Sequence, residues 1–479
     1  MFLGLDIGTS GVKAAIVNET GKLMAQSSAP LQVSRPKKYW SEQDPGEWWN
    51  ATNKAVALLE SSLRAKIQAV GLSGQMHGAV LLNDALKPLR PAILWNDGRS
   101  TNECSYLETN CRDLREISGN AAMPGFTAPK LLWVRRHEPK IFERLEKVIL
   151  PKDFIRLLMT GEVATDVSDA AGTLWLDTSK REWSEVLLDA CGLALSQMPS
   201  LFEGTEITGT LLPEVAARWG MQRVPVVGGG GDNAAAAAGL GVVQEDKGLL
   251  SLGTSGTIFL PTKRFAANPS GGVHAFCHCV PNMWHLMSVH LSAASCLAWL
   301  ANLVGLEIDE LLAGAQRYGP ARDGELFLPY LSGERTPHND SQIRSAFIGL
   351  GHETGPDQLA ASVLEGVAFA FRDGMDALSA TGTPVESLTI AGGGARSEYW
   401  GKILASAIDK PLHYLEGSEI GPALGAAKLA MAGTTDLSLD QIFTRPRVKN
   451  IIEPCPKLQN RMSSNLEHFR RAYPALKAI

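Results

Sequence analysis

Asp6 and Asp232 are the two carboxylates whose sequence surroundings point to chemistry. Asp6 lies near the end of a short apolar run and is followed by Gly8-Thr9-Ser10-Gly11, a tight turn by composition. Asp232 follows four glycines, Gly228 to Gly231, and precedes Asn233 and an alanine-rich stretch that reads as a helix from Ala234. Helix capping accounts for an Asp in that position. One cap does not require four glycines, however, since each costs backbone entropy on folding. The run is expected to let a substrate approach closely. A carboxylate at a helix N-terminus stays ionised because the dipole favours negative charge. It can then accept the proton of a hydroxyl that attacks a phosphoryl group. In that reaction the protein mainly positions groups and stabilises charge, and one base orients the nucleophile. Asp6 suits a magnesium ion held through water, because Mg²⁺ keeps much of its hydration shell.

The tetrapeptide Gly-Thr-Ser-Gly occurs at 8–11 and again at 253–256, each time between two strand-like runs. A hairpin alone would explain either copy. Two copies beside Asp6 and Asp232 instead favour a polyphosphate clamped from both sides. Glycine turns let backbone N–H groups approach phosphate oxygens, and Thr9, Ser10, Thr254 and Ser255 add hydroxyl donors. A further turn, Gly392-Gly393-Gly394, follows the strand-like Leu388 to Ala391 and precedes a helix expected from Ser397. No Gly-x-x-x-x-Gly-Lys-Ser/Thr is present, which excludes a Walker-type loop. No Gly-x-Gly-x-x-Gly stands at a strand–helix junction of the first half, so a nicotinamide site is a weak reading.

The elements that must position these residues alternate between strand and helix. Val12 to Val17 resumes a strand after the first turn, and Asp44-Pro45 has the signature of a helix start. Ile67 to Leu72 and Val224 to Val227 read as strands, and near residue 248 the strand–turn–strand opening repeats. The expected architecture is α/β, with two sheet-centred lobes joined by a hinge near Leu240 to Lys247. A chain of 479 residues with 45% hydrophobic and 20% charged residues is ordinary for a globular protein with real cores. The net charge is −5 and no run of five basic residues occurs, which argues against a nucleic-acid partner. The apolar stretch Leu291 to Leu306 contains Ser292, Ser295 and Asn302 and falls short of the ~20 residues a bilayer needs, so it reads as a buried helix. With Asp6 inside the first apolar run and no basic residue before it, a signal peptide is not expected. Seven scattered cysteines, an odd number, fit a reducing compartment, and the cytoplasm is the expected location.

His274, Cys277, His278, Cys279, His285 and His290 invite a zinc reading. Structural burial is preferred. On a strand, 277 and 279 share a face that 278 does not, and no second cysteine pair of zinc-site spacing is present.

Longer motifs carry a resemblance that covers essentially the whole chain. They are Leu5-Asp6-Ile7-Gly8-Thr9-Ser10-Gly11-Val12-Lys13 and Gly125-Phe126-Thr127-Ala128-Pro129-Lys130-Leu131-Leu132-Trp133. A third runs from Ser345-Ala346-Phe347-Ile348-Gly349-Leu350 through Gln358-Leu359 to Leu364-Glu365-Gly366, and a fourth is Ala391-Gly392-Gly393-Gly394-Ala395-Arg396-Ser397. Together they resemble the FGGY family of carbohydrate kinases. The resemblance implies a two-lobed α/β fold of the actin/Hsp70/sugar-kinase (ribonuclease H-like) type with a duplicated core. It implies a sugar-binding lobe over 1–244, which supplies the catalytic Asp, and an adenosine-binding lobe over 245–479. Within the family, Gly71 to Gly78, Pro91 to Arg99 and Gly229 to Asn233 are most similar to bacterial members acting on D-xylulose; glycerol kinases carry an Arg-Glu pair where Met76-His77 stands here.

That resemblance implies ATP as phosphoryl donor, with Mg²⁺, and the terminal hydroxyl of D-xylulose as acceptor, giving D-xylulose 5-phosphate. It implies Asp232 as proton acceptor and Met76 and His77 at the sugar. Trp95 and Asn233 are expected beside them: Met76 and Trp95 can cover the C–H face of a sugar, while His77 and Asn233 can each donate or accept. Core packing has an equal claim on Trp95. Asp6 is expected to hold Mg²⁺ through water, and Thr9, Ser10, Gly253, Thr254, Gly393 and Gly394 are expected at the nucleotide. Two other classes stay open: an FGGY kinase for ribulose, fuculose, gluconate or glycerol, and a non-enzymatic nucleotide switch of the Hsp70 or actin kind. The switch calls for a peptide-binding or polymer-contact segment, which is not expected in this sequence. A homodimer is compatible with the sequence, no membrane partner is expected, and the loop Ser332 to Asn339 receives no role.

Overall fold

Phe2–Ile7 is buried at every position, as expected of a strand with both faces covered. In the computed structural model, which describes residues 1–416 and 421–479, it pairs antiparallel with Gly11–Val17 and parallel with Ala69–Gly74. The sheet runs Ile207–Thr210, Pro225–Val227, Ala69–Gly74, Phe2–Ile7, Gly11–Val17, Leu23–Pro30, with Gly230–Gly231 added beside Ala69–Gly74. A second sheet repeats the theme. Lys247–Leu252 pairs antiparallel with Gly256–Thr262 across the second Gly-Thr-Ser-Gly turn and parallel with Ser387–Ala391. Trp284–His290 and His274–Cys277 extend one side, and Leu412–Leu415 and Val448–Ile452 the other. Two α/β sheets built on the same strand–turn–strand unit make the duplicated core.

Local signals set several elements. Helix Pro45–Ala57 is capped by Asp44, whose carboxylate accepts from the Gly46 N–H at 2.8 Å. Helix Asp232–Gly239 has Gly231 at its N-cap and Asp232 as its first residue. The apolar run at 291–306 is a shorter helix than expected, Ala294–Val304, and is buried on one face only: Leu300 is buried while Leu303 is 63% exposed. The residues before it turn toward the second glycine turn, where the Ala293 and Ala294 N–H groups donate to Thr254 O and Gly253 O at 2.9 and 2.8 Å. Strand His274–Cys277 ends before His278, so the expected face-sharing of 277 and 279 does not apply. All six His and Cys residues of that group are nonetheless buried. Among the described residues, no group of three or more His, Cys, Asp or Glu is placed to hold a metal, and no helix is long and apolar enough to cross a membrane.

One long-range feature had no sequence signal. Helix Gly421–Thr434, from the second half, lies on the first sheet. A Cβ at Gly4 would sit 1.9 Å from Ala423 O, one at Gly71 1.9 Å from Ala426 O, and one at Gly425 1.8 Å from Ala235 O. Only glycine permits these approaches, which bring Ala427 and Ala430 into one apolar cluster with Phe2, Ala234 and Ala237.

Candidate active site

Three parallel strands end side by side. Asp6 is in register with Ser73, Ser73 with Gly230, and Gly74 with Gly231. The residues just beyond, Met76-His77 and Asp232-Asn233, therefore gather with Asp6 at the carboxyl end of the sheet, where open α/β sheets place ligands. The glycine run before Asp232 was expected to make room for a substrate; the structure fills that room with protein. A Cβ at Gly228 would meet Glu203 O at 2.3 Å, at Gly229 Leu72 O at 1.9 Å, at Gly230 the Cys279 Cβ at 2.5 Å, and at Gly231 the Met76 sulfur at 2.8 Å. The glycines let the chain thread between neighbours and deliver Asp232 at the sheet end.

The Asp232 carboxylate accepts from the Asn233 N–H at 2.8 Å and from Asn233 Nδ2 at 2.9 Å. Burial pushes its pKa up to about 6, and the Asn233 bonds hold it from rising further. The helix N-terminus thus does not by itself keep the acid at an ordinary carboxylate value, yet Asp232 is still mostly ionised at neutral pH. Asp6 is pushed up to about 7, first by burial and then by the nearby Asp232 charge, with Lys13 opposing. Its Oδ1 is buried and has no hydrogen-bond partner.

His77 occupies the left-handed region, φ +68°, which is uncommon for a side chain of this size. Its Nδ1 lies 2.7 Å from Gly172 O, so Nδ1 carries the hydrogen and Nε2 the lone pair. Burial, reinforced by the Lys130 charge, lowers its pKa to about 3, so the ring is neutral. The expected donor-or-acceptor versatility is resolved: His77 offers an acceptor. Its backbone carbonyl takes hydrogen bonds from Lys130 Nζ at 2.8 Å and Thr127 Oγ1 at 3.2 Å. Lys130 Nζ also reaches Gly125 O at 2.7 Å. The Gly125–Trp133 motif therefore holds the His77 turn in place, with the Phe126 ring edge-on to His77 at 4.8 Å.

Met76 is 5% exposed and packs between Gly231 and Gly172. Trp95 is 38% exposed, which decides against core packing. Its indole N–H donates to Thr9 Oγ1 at 2.9 Å, and that hydroxyl donates onward to Gln75 Oε1 at 2.8 Å. Gln43 completes the cluster by donating to Thr9 O at 2.8 Å and accepting from Gln75 Nε2 at 3.0 Å. The Thr9 hydroxyl, expected as a phosphate donor, is here committed to Trp95 and Gln75. Ser10 is exposed at the tip of its turn.

In the second half, Gly253, Thr254 and the Gly392–Gly394 turn stand together at the ends of Lys247–Leu252 and Ser387–Ala391. Gly392 has φ +98°, and a Cβ there would meet Leu252 O at 2.6 Å. Thr254 and Gly393 are exposed, and Gly394 packs on Leu252. A cleft of about 1360 Å³ is lined by Lys13, Gln26 and Ser28 of the first sheet and by Gly392, Gly393 and Arg396 of the second half. It can admit a nucleotide between the two sheets.

A buried charge cluster supports this site from behind. Lys152 Nζ lies 2.7, 2.8 and 3.0 Å from carboxylate oxygens of Asp153, Asp166 and Asp169, and all four side chains are fully buried. Arg156, also buried, donates to Val227 O at 2.8 Å and to Gly228 O. Asp166 caps the short helix Val167–Ala171. That helix touches both sides of the site: Ser168 Oγ accepts from the Gly231 N–H at 3.1 Å, and Gly172 O, just past its end, receives His77. Lys130, Gly172, Ser168 and the Lys152 cluster were not found by sequence reasoning. The charged positions Lys152, Asp153 and Arg156 inside the apolar stretch Ile149 to Leu158 were the available signal.

Sheet-end carboxylates, paired glycine turns and an interlobe cleft define a sugar kinase of the actin-like type, and the chain belongs to the FGGY family of carbohydrate kinases. The family's N-terminal domain matches residues 1–239 and its C-terminal domain residues 248–434. The chain is 52% identical over 479 residues to the xylulose kinase of Escherichia coli (strain K12), covering 99% of each. A crystal structure of a "xyloylose kinase" from Brucella ovis superposes with a TM-score of 0.95 at 46% identity, covering 100% of this chain and 99% of that one. The xylulose kinase structure from Rhodospirillum rubrum gives 0.91 at 28% identity, with 100% and 99% covered.

Proposed function

We propose that the protein transfers the γ-phosphoryl group of ATP to the terminal hydroxyl of D-xylulose, giving ADP and D-xylulose 5-phosphate. The observation that carries the mechanism is Asp232, a carboxylate with pKa about 6 at the sheet end, beside the Met76–His77 turn. The sugar oxygen attacks phosphorus, the bond to the β-phosphate oxygen breaks, and the hydroxyl proton passes to Asp232. Trp95 and Met76 cover the apolar side of the sugar, and Asn233 and the neutral His77 orient its hydroxyls. Gly253 and Thr254, with the Gly8–Gly11 turn that carries Thr9 and Ser10, surround the phosphates, and Gly393 and Gly394 admit the nucleotide. The sugar lobe is built on residues 1–244 and the adenosine lobe on 245–479, except that helix Gly421–Thr434 of the second half packs on the first sheet; closing the lobes excludes water, the competing acceptor.

The donor set at Asp6 fits a magnesium ion carried by ATP. A buried oxygen without a partner, beside a second carboxylate, is a carboxylate environment that a cation relieves. Mg²⁺ uses one or two protein carboxylates together with phosphate oxygens and supplies charge neutralisation on the phosphates. Seven free cysteines, six of them buried, support a cytoplasmic location.

The test is ADP release measured against D-xylulose, D-ribulose, L-fuculose, gluconate and glycerol. D-Xylulose is expected to give the highest kcat/KM; absence of sugar-stimulated turnover with every one would remove the reading. A pH dependence follows. Asp232 accepts a proton only when ionised, so kcat/KM for D-xylulose should fall about tenfold per unit below an apparent pKa near 6. A profile flat to pH 5 would exclude Asp232 as the base.

A further inference from the structure

The loop Ser332 to Asn339 joins strands Leu326–Leu328 and Ala346–Ile348 and is bolted to the second sheet. Glu334 Oε1 accepts from the Leu291 N–H at 3.0 Å and the Arg335 N–H at 2.7 Å. On the other side of Arg335, the Thr336 N–H donates to Val289 O at 3.0 Å, and Thr336 Oγ1 accepts from the Val289 N–H at 2.9 Å. The same hydroxyl donates to Gly272 O at 2.8 Å. Arg335 is thus held between two anchored neighbours, and its side chain crosses to the first half of the chain. Its Nη2 lies 3.7 Å from where a Cβ on Gly125 would be. That same point is 2.6 Å from Trp95 O, and Lys130 Nζ binds both Gly125 O and His77 O. The guanidinium therefore sits against the backbone that carries Trp95 and His77, two side chains assigned above to the sugar. Its charge is felt there: burial is the first cause of the lowered pKa of His77 and of His274, and Arg335 contributes to both.

Among the described residues the Arg335 guanidinium has no ion-pair partner and makes no hydrogen bond; the Glu334 carboxylate is turned to backbone amides and to His290, 3.6 Å away. A guanidinium presents five donors and no acceptor, and here its nitrogens are not fully buried, so the donors stand open to a ligand. His77 is the complement, a neutral ring offering only an acceptor. An acceptor beside unpaired donors matches an α-hydroxyketone, whose hydroxyl donates and whose carbonyl only accepts.

We propose that Arg335 is a substrate-binding residue supplied by the second lobe, donating to the ketone end of the pentulose while His77 accepts from the neighbouring hydroxyl. The proposal rests on the sugar-kinase reading above. It gives the loop a role in specificity: it favours a ketose over the corresponding polyol and makes sugar binding draw the lobes together.

The test compares the wild type with Arg335→Gln and Arg335→Lys in steady-state assays with D-xylulose and with xylitol, which carries an alcohol where D-xylulose has its ketone. Thermal melting confirms that each variant is folded. Wild-type turnover with D-xylulose is measured first; its absence overturns the kinase reading and this proposal with it. Given that turnover, Arg335→Gln is expected to raise the KM for D-xylulose about 10- to 100-fold, with the KM for ATP within about twofold. The preference for D-xylulose over xylitol should shrink about tenfold, and Arg335→Lys should recover part of both losses. Where Arg335→Gln does not fold, a rise in sugar KM for Arg335→Lys with the ATP KM unchanged reads the same contact, because a lysine lacks the planar fork of donors. An unchanged sugar KM and preference, or a change confined to the ATP KM, overturns the proposal and leaves the kinase reading standing.

Discussion

Asp232→Asn is expected to lower kcat by about 10²- to 10⁴-fold while leaving the affinity for nucleotide nearly unchanged. The substitution keeps size and keeps an oxygen for the Asn233 N–H bond, now 2.8 Å long. It removes the negative charge and with it the ability to take a proton. It should also stabilise the fold. The native pKa is about 6 against an ordinary 3.8, so the folded state holds this proton more tightly than the unfolded state does. The stability contribution of Asp232 therefore falls as pH rises from about 4 to about 6 and stays low above that. A two-unit shift corresponds to no more than ~3 kcal/mol, less a discount for the partial exposure of the group. The variant should melt higher than the wild type at pH 7.5, with the gap closing toward pH 4. A kcat within about tenfold of wild type would contradict the assigned role.

Lys152→Met is expected to be the most damaging single change to stability. In the native protein Lys152 and Arg156 face Asp153, Asp166 and Asp169, and burial pushes the Asp169 pKa well above the usual range, so the group is neutral when Asp169 keeps its proton. Removing the ammonium strands carboxylates in a fully buried place. Breaking a buried pair in this way costs on the order of 3–5 kcal/mol, a large share of the 5–15 kcal/mol typical of a domain. The loss should be greatest at high pH and partly recovered as pH falls, because the stranded acids then take up protons in the folded state before the unfolded one does. Urea unfolding at pH 8 and pH 5.5 measures this; a variant with wild-type midpoint at pH 8 would show that the cluster contributes little.

What the sequence discloses here is mostly local. Asp6 at a strand end, the two Gly-Thr-Ser-Gly turns and the Asp44-Pro45 helix start are written within a few residues and are found in the fold as read. The reason for the four glycines is not local: each is required by a neighbour distant in sequence, such as Leu72 or Cys279. Lys130 and Lys152 look like surface residues by type and become buried only because carbonyls or carboxylates from other segments gather around them. The same holds for the helix Gly421–Thr434, whose alanine-rich surface fits any close-packed partner and does not say that the partner is the first sheet. Trp95 needed the structure to show that it is not core, and the Thr9 hydroxyl needed it to reveal a structural engagement.

The most direct test is a crystal structure with D-xylulose and a non-hydrolysable ATP analogue bound together. An Asp232 carboxylate oxygen is expected within hydrogen-bonding distance, about 2.6–3.2 Å, of the sugar's terminal hydroxyl, with the hydroxyl oxygen in line with the γ-phosphorus. A sugar bound with its terminal hydroxyl directed away from both Asp232 and the nucleotide would contradict it.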